Sequence, residues 1–289
     1  MFPFPDLMVI VPTADRVSLG IDRYPAIGER RGVLVCLHAM MTDGRYFGGK
    51  REGSFVHEMT SGGFEVFVPS FRGHGRSQPP IAGKGDWSFD DLVELDLPAI
   101  VMAVSQAAKC EPSELVLLGH SLGGLVTTAA LGIGAIPSPR LVVLPATSVW
   151  LLGKDGDRKR RALMSIYRNV TRVLGRAPIR ALRIGTCDEA ATYVKQLTDW
   201  TRAKKWTSLR GVDYGSALAK IETPILPYAG AGDWMCTPSD ARAFAQQMPN
   251  AAPVRVVGEQ HGDAIDPDHF GLFTRSELRP LWRDLLDRL

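Results

Sequence analysis

Cysteine is scarce in this chain, and what there is lies scattered. Cys36, Cys110, Cys187 and Cys236 are the only four in 289 residues. They show neither the spacing of a metal site nor the clustering of a disulfide framework, so free and mostly buried thiols are expected. A bilayer-spanning segment is missing as well, since that takes about 20 consecutive apolar residues and no run reaches it. No basic leader is expected either. Met1-Phe2-Pro3-Phe4-Pro5-Asp6 carries no Lys or Arg, and Pro and Asp interrupt its apolar residues, so it does not read as a signal peptide and a cytoplasmic location is expected. Internal repeats and low-complexity tracts are absent, which excludes solenoids. No G-K-[ST] follows the glycines of Arg72-Gly73-His74-Gly75-Arg76-Ser77, which argues against a phosphate cradle. No nucleic-acid recognition motif is present, and the net charge is only +3. No metal or cofactor is expected.

What the chain does have is an alternation of short β-rich apolar runs with helical patterns, which predicts a mostly parallel sheet flanked by helices, the α/β class. The expected strands are Val33–Leu37, Val66–Val68, Leu115–Leu118, Leu141–Leu144, Ile225–Tyr228 and Val254–Val257. Met8–Pro12 and Val17–Tyr24 should form an antiparallel pair before them. Helical periodicity marks Ser88–Ala108, with Ser88 and Asp91 as its cap, and also Pro238–Met248 and Ser276–Leu289. The alternation fails between about Val149 and Val212, where no strand is expected. Within Gly153 to Arg210 there are 15 Lys/Arg against 5 Asp/Glu, a balance of +10 that leaves the remainder near −7. An insertion at 149–212, acting as a helical cap over the strand C-termini of a core made of 1–148 and 213–289, accounts for the break.

The strongest local signal is Gly119-His120-Ser121-Leu122-Gly123-Gly124. It follows an apolar strand and precedes a helix-compatible run, the context that a G-x-S-x-G nucleophile elbow requires. A serine at the tip of such a turn sits in strained backbone with its hydroxyl projecting, and the Leu122 N–H at the helix start can face negative charge. A serine hydroxyl needs a base, and the base needs an orienting acid; in this kind of sheet they follow in the order Ser, Asp/Glu, His. Asp233, after an apolar strand ending in small residues, is the acid candidate, with Asp213 and Asp240 as weaker ones. The base is His261 or His269, the two histidines that follow Asp233, and the residues alone leave these two open. A second oxyanion donor should come from the turn after Val33–Leu37, where the Met40 N–H is the choice. The Arg72–Ser77 loop is expected to brace the site rather than do chemistry.

With these residues in place, the chain resembles the α/β-hydrolase superfamily over nearly its whole length. His38-Ala39-Met40 is similar to the family's oxyanion turn, Arg72–Ser77 to its R-G-x-G-x-S loop, and Gly119–Gly123 to its elbow. More narrowly, it resembles lid-bearing hydrolases related to serine aminopeptidase-like and lysophospholipase-like members, which end in G-H-x-G-F-F before a Leu-Trp helix. Asp268-His269-Phe270-Gly271-Leu272-Phe273 and Leu281-Trp282 stand in those places, and this tips the base to His269. Ala39 and Asp268 replace glycines of the family pattern. The resemblance implies hydrolysis of an ester or thioester of a small-molecule acyl substrate through an acyl-serine. Acyl transfer to another acceptor, or cleavage of a carbon–carbon bond, would use the same residues. A non-catalytic ligand-binding member of the fold would not need them.

Overall fold

A computed structural model describes residues 7–79, 85–151 and 157–289. Met1–Asp6, read above as lacking a leader, lie outside the described residues, as do 152–156 of the expected insertion. Eight strands form one sheet in the order β1-β2-β4-β3-β5-β6-β9-β10. They are β1 (Leu7–Pro12), β2 (Ser18–Tyr24), β3 (Gly32–Leu37), β4 (Phe64–Pro69), β5 (Leu115–Gly119), β6 (Leu141–Pro145), β9 (Ile225–Gly230) and β10 (Arg255–Val257). β1 and β2 pair antiparallel and β2 runs antiparallel to β4; every other pairing is parallel. All six expected strand runs and the antiparallel start are present, with bounds shifted by at most two residues.

The parallel strands have apolar residues on both faces because helices cover both. Val33, Val35, Leu37, Leu115 and Leu117 pack into one core layer; Leu34, Cys36, Val116 and Leu118 pack into the other. The principal helices are α1 (Phe55–Ser61), α2 (Leu97–Ala108), α3 (Leu122–Gly132), α4 (Arg158–Leu174), α5 (Ala191–Ala203), α6 (Pro238–Ala245) and α7 (Arg279–Leu286). α1 was not anticipated: it is short, but Ser54 caps it, and Phe55, Val56 and Met59 bury one face. The predicted helix 88–108 is three pieces. Ser88 and Asp91 form the expected capping box for Phe89–Asp91, a π turn spans Leu92–Asp96, and α2 follows with Pro98 in its first turn. The wide turn brings Asp96 to Arg72, which donates to it through its backbone N–H and its guanidinium at 2.8 Å.

Between β6 and β9 the chain leaves the sheet. This excursion holds α4, α5 and a two-stranded antiparallel ribbon, β7 (Arg176–Ala177) with β8 (Glu189–Ala190). The ribbon corrects the expectation that this stretch holds no strand: two-residue strands carry no alternation long enough to read. Trp200 and Trp206 are buried against Phe89, Tyr214 and Phe244, so they anchor the excursion to the core. All four cysteines are free; Cys36, Cys187 and Cys236 are buried and Cys110 is half-buried. No helix among the described residues is long and apolar enough to cross a membrane.

Candidate active site

Ser121 stands between β5 and α3 with φ 53° and ψ −109°. This is a left-handed backbone that a non-glycine residue adopts only at a cost of roughly 1–3 kcal/mol, and the surrounding structure must hold it there. The glycines explain how. A Cβ at Gly119 would stand 2.6 Å from the Gly124 nitrogen, and one at Gly123 would stand 2.5 Å from the Leu37 carbonyl oxygen. Both are backbone obstacles that cannot swing aside. The Ser121 N–H donates to Pro145 O at 3.1 Å and the Gly123 N–H to His38 O at 3.1 Å, which ties the turn to the ends of β6 and β3.

Asp233 follows β9 and is buried. Its Oδ1 accepts from the N–H groups of Met235 (2.8 Å) and Cys236 (2.9 Å), and its Oδ2 lies 2.7 Å from His269 Nδ1. The other ring nitrogen of His269, Nε2, is buried and has no hydrogen-bond partner among the described residues. The His269 ring sits 4.9 Å from that of His120, the neighbour of Ser121. His261 instead lies exposed in a single turn, Glu259–His261. Asp213 caps Tyr214–Ala217 through the Ser216 N–H, and Asp240 accepts from the Thr237 N–H in the capping box of α6 and pairs with Arg160, so neither holds a histidine. Asp268, which departs from the glycine of the resembled pattern, accepts from the Gly271 N–H at 2.7 Å and caps the next turn.

The N–H groups of Met40 and Leu122 donate to no group among the described residues. The N–H of the intervening departure, Ala39, is taken up by Tyr46 Oη at 3.1 Å, and the Tyr46 hydroxyl lies 2.8 Å from His120 Nδ1. Because that oxygen already accepts from Ala39, its own proton is best placed on the bond to His120. Tyr46 thereby links the turn after β3 to the elbow. Burial, and then the nearby His269, hold His120 well below the usual histidine range, so it is neutral. His38 is likewise neutral: burial, with His74 opposite, pushes it down to about 3. Its Nε2 accepts from the Phe71 N–H at 3.1 Å, and its Nδ1 lies 2.8 Å from Ala39 O. Neither Tyr46 nor the linking role of His120 is visible in sequence, because both depend on which loops meet.

The Arg72–Ser77 loop is built as a brace. Arg72 is buried between Asp96 and Asp15, the Gly73 Cα packs on the Trp87 ring, and Ser77 Oγ donates to Ser70 O at 2.5 Å. Among the described residues no three His, Cys, Asp or Glu side chains converge as a metal site.

A model of the alpha/beta hydrolase family matches residues 34–277. No curated protein sequence matches the chain. Solved structures similar to it include an esterase from Exiguobacterium antarcticum, 14% identical with a TM-score of 0.66 over 98% of this chain and 99% of that one. A thermophilic esterase from Thermogutta terrifontis is 17% identical, with a TM-score of 0.64 and 98% of each chain covered. A monoacylglycerol lipase from Paleococcus ferrophilus is 14% identical, with a TM-score of 0.61 over 93% of this chain and 97% of that one. At these identities the likeness is one of fold.

Proposed function

The chain belongs to the alpha/beta hydrolase family, and from that premise we propose that it is a serine hydrolase cleaving a carboxylic ester or thioester through an acyl-Ser121 intermediate. The observation that carries this is the buried His269: one nitrogen is held by Asp233, the other has no partner among the described residues, and the ring packs 4.9 Å from that of His120, the neighbour of a serine in strained left-handed backbone. The Asp233 carboxylate accepts the Nδ1 proton and so keeps the lone pair on Nε2, where a base for the Ser121 hydroxyl is needed. As Ser121 Oγ attacks the acyl carbon, its proton passes to His269 Nε2 and the carbonyl oxygen takes the negative charge. The Met40 and Leu122 N–H groups, which have no acceptor among the described residues, meet that charge. His269 then returns the proton to the leaving alcohol or thiol, and a water repeats the sequence to release the acid. The excursion at 149–212 serves as a cap that selects a small-molecule acyl substrate. The esterase and lipase folds among the similar structures support the same chemistry.

The test is hydrolysis of a p-nitrophenyl ester series by the wild type and by Ser121→Ala. Turnover that depends on acyl length and falls to background in the variant supports the reading. Equal turnover by both proteins overturns it.

A further inference from the structure

The excursion does more than lie above the sheet; it grips the turn that carries Met40. Met41, with φ 64°, is another left-handed non-glycine position, next to the proposed oxyanion donor. Its carbonyl accepts from the N–H groups of Thr186 (2.9 Å) and Cys187 (3.1 Å), and its own N–H donates to Glu189 Oε1. Thr186 Oγ1 lies 3.2 Å from Thr42 Oγ1. Both backbone groups of Met41 are thus satisfied by a segment some 145 residues later in the chain, and a strained residue is held where isolated backbone would relax. Gly185 permits the approach, since a Cβ there would stand 2.3 Å from the Met41 carbonyl oxygen.

Glu189 is fully buried, which is costly for a carboxylate without a charge partner. Its partner is the buried His74: Nε2 lies 3.2 Å from the same Oε1 that accepts from Met41. His74 Nδ1 faces the Arg72 carbonyl, which can only accept, so that nitrogen carries a proton. Burial opposes a charge on His74, yet the Glu189 carboxylate and its hydrogen bond lift the imidazole above its usual value. Glu189 Oε2 makes no hydrogen bond among the described residues, so the carboxylate's share of the grip runs through Oε1.

We propose that Glu189 is a positioning residue: seated on His74, it fixes Met41 and thereby aims the Met40 N–H, so that the oxyanion site is complete only while the excursion is docked on this turn. The inference rests on the serine-hydrolase reading. Removing an oxyanion donor outright costs about 10²–10³ in kcat, and mis-aiming one costs part of that. Glu189→Leu should therefore lower kcat with p-nitrophenyl butyrate about 10- to 100-fold while KM stays within about twofold, because the lost interaction exists only in the transition state. Glu189→Gln keeps an oxygen for the Met41 N–H and should recover most of the rate. Gly185→Ala attacks the grip from the other side, leaves Glu189 and His74 in place, and should lower kcat like Glu189→Leu. Amide exchange in residues 39–43 should quicken in Glu189→Leu and Gly185→Ala but not in Glu189→Gln. A change confined to KM, or unchanged exchange in folded Glu189→Leu, overturns the proposal. If the wild type and Ser121→Ala turn over alike, it is the serine-hydrolase reading that fails, and the exchange pattern alone decides the grip.

Discussion

Replacing Asp233 by Asn separates chemistry from architecture. Oδ1 of Asp233 faces two donors, the Met235 and Cys236 N–H groups, at 2.8 and 2.9 Å. An asparagine must therefore keep its carbonyl oxygen there and turn its NH₂ toward His269, where Oδ2 had stood at 2.7 Å from Nδ1. Facing a donor, Nδ1 becomes the acceptor and the imidazole proton moves to Nε2. The nitrogen that should receive the Ser121 proton then already holds one. For a triad of this kind the wrong tautomer costs about 10⁴ in kcat, equivalent to roughly 5.5 kcal/mol. The fold loses little, about 1 kcal/mol, because a neutral hydrogen bond replaces a charge-assisted one and no donor is stranded. Steady-state ester hydrolysis read beside a thermal melt provides the assay. Asp233→Asn should melt close to the wild type and turn over at least 10³-fold more slowly. A variant that keeps a tenth of the wild-type rate would refute the assignment of Asp233 as the orienting acid, and His261→Ala should leave the rate unchanged.

Further outcomes follow from the same geometry. His38 is pushed down to about 3 in the fold against 6.5 for the free side chain, so the unfolded chain binds the extra proton between those values and stability falls as pH drops through that window. In His38→Gln, which keeps an acceptor near the Phe71 N–H, urea unfolding at pH 4 to 7 should show a shallower acid loss; an unchanged slope would contradict a neutral buried His38. Arg72→Leu strands the Asp96 carboxylate and should cost about 3–5 kcal/mol near neutrality. Burial already pushes Asp96 up to about 6 despite Arg72, so the stranded carboxyl binds a proton in the fold more readily than when unfolded, and the deficit should shrink as pH falls toward 4. A deficit independent of pH would count against that account. Tyr46→Phe leaves the Ala39 N–H and His120 Nδ1 without their shared hydroxyl and should destabilise by about 1–3 kcal/mol in chemical unfolding.

The sheet was legible because most of its parallel strands hold continuous apolar runs, Val33–Leu37 and Leu115–Leu118 among them, and the elbow because glycines must flank a turn whose neighbours are backbone. The order of Asp233 and the two late histidines left the base open on residues alone; a short loop from β10 suits His261, and the aromatics flanking His269 suit a pocket wall. In the structure Asp233 meets His269, and His261 lies exposed on the turn after β10. The failed alternation marked a departure from the sheet between β6 and β9, but not its two-residue ribbon. Glu189 gave no signal. An acid next to Asp188 in a basic segment reads as a solvated charge, and only tertiary contact reveals it buried on His74 and bonded to Met41. Tyr46 was hidden for the same reason, since its partners lie 7 and 74 residues away.

The central claim is that one hydroxyl, that of Ser121, becomes covalently acylated. Rapid acid quench of the wild type with a slowly deacylated ester, followed by peptide mass mapping, tests it directly. The account predicts the acyl mass on the peptide containing Ser121, accumulating before steady-state product and absent from Ser121→Ala. Product formation with the mass on another residue, or with no covalent adduct under conditions where deacylation is slow, would contradict it.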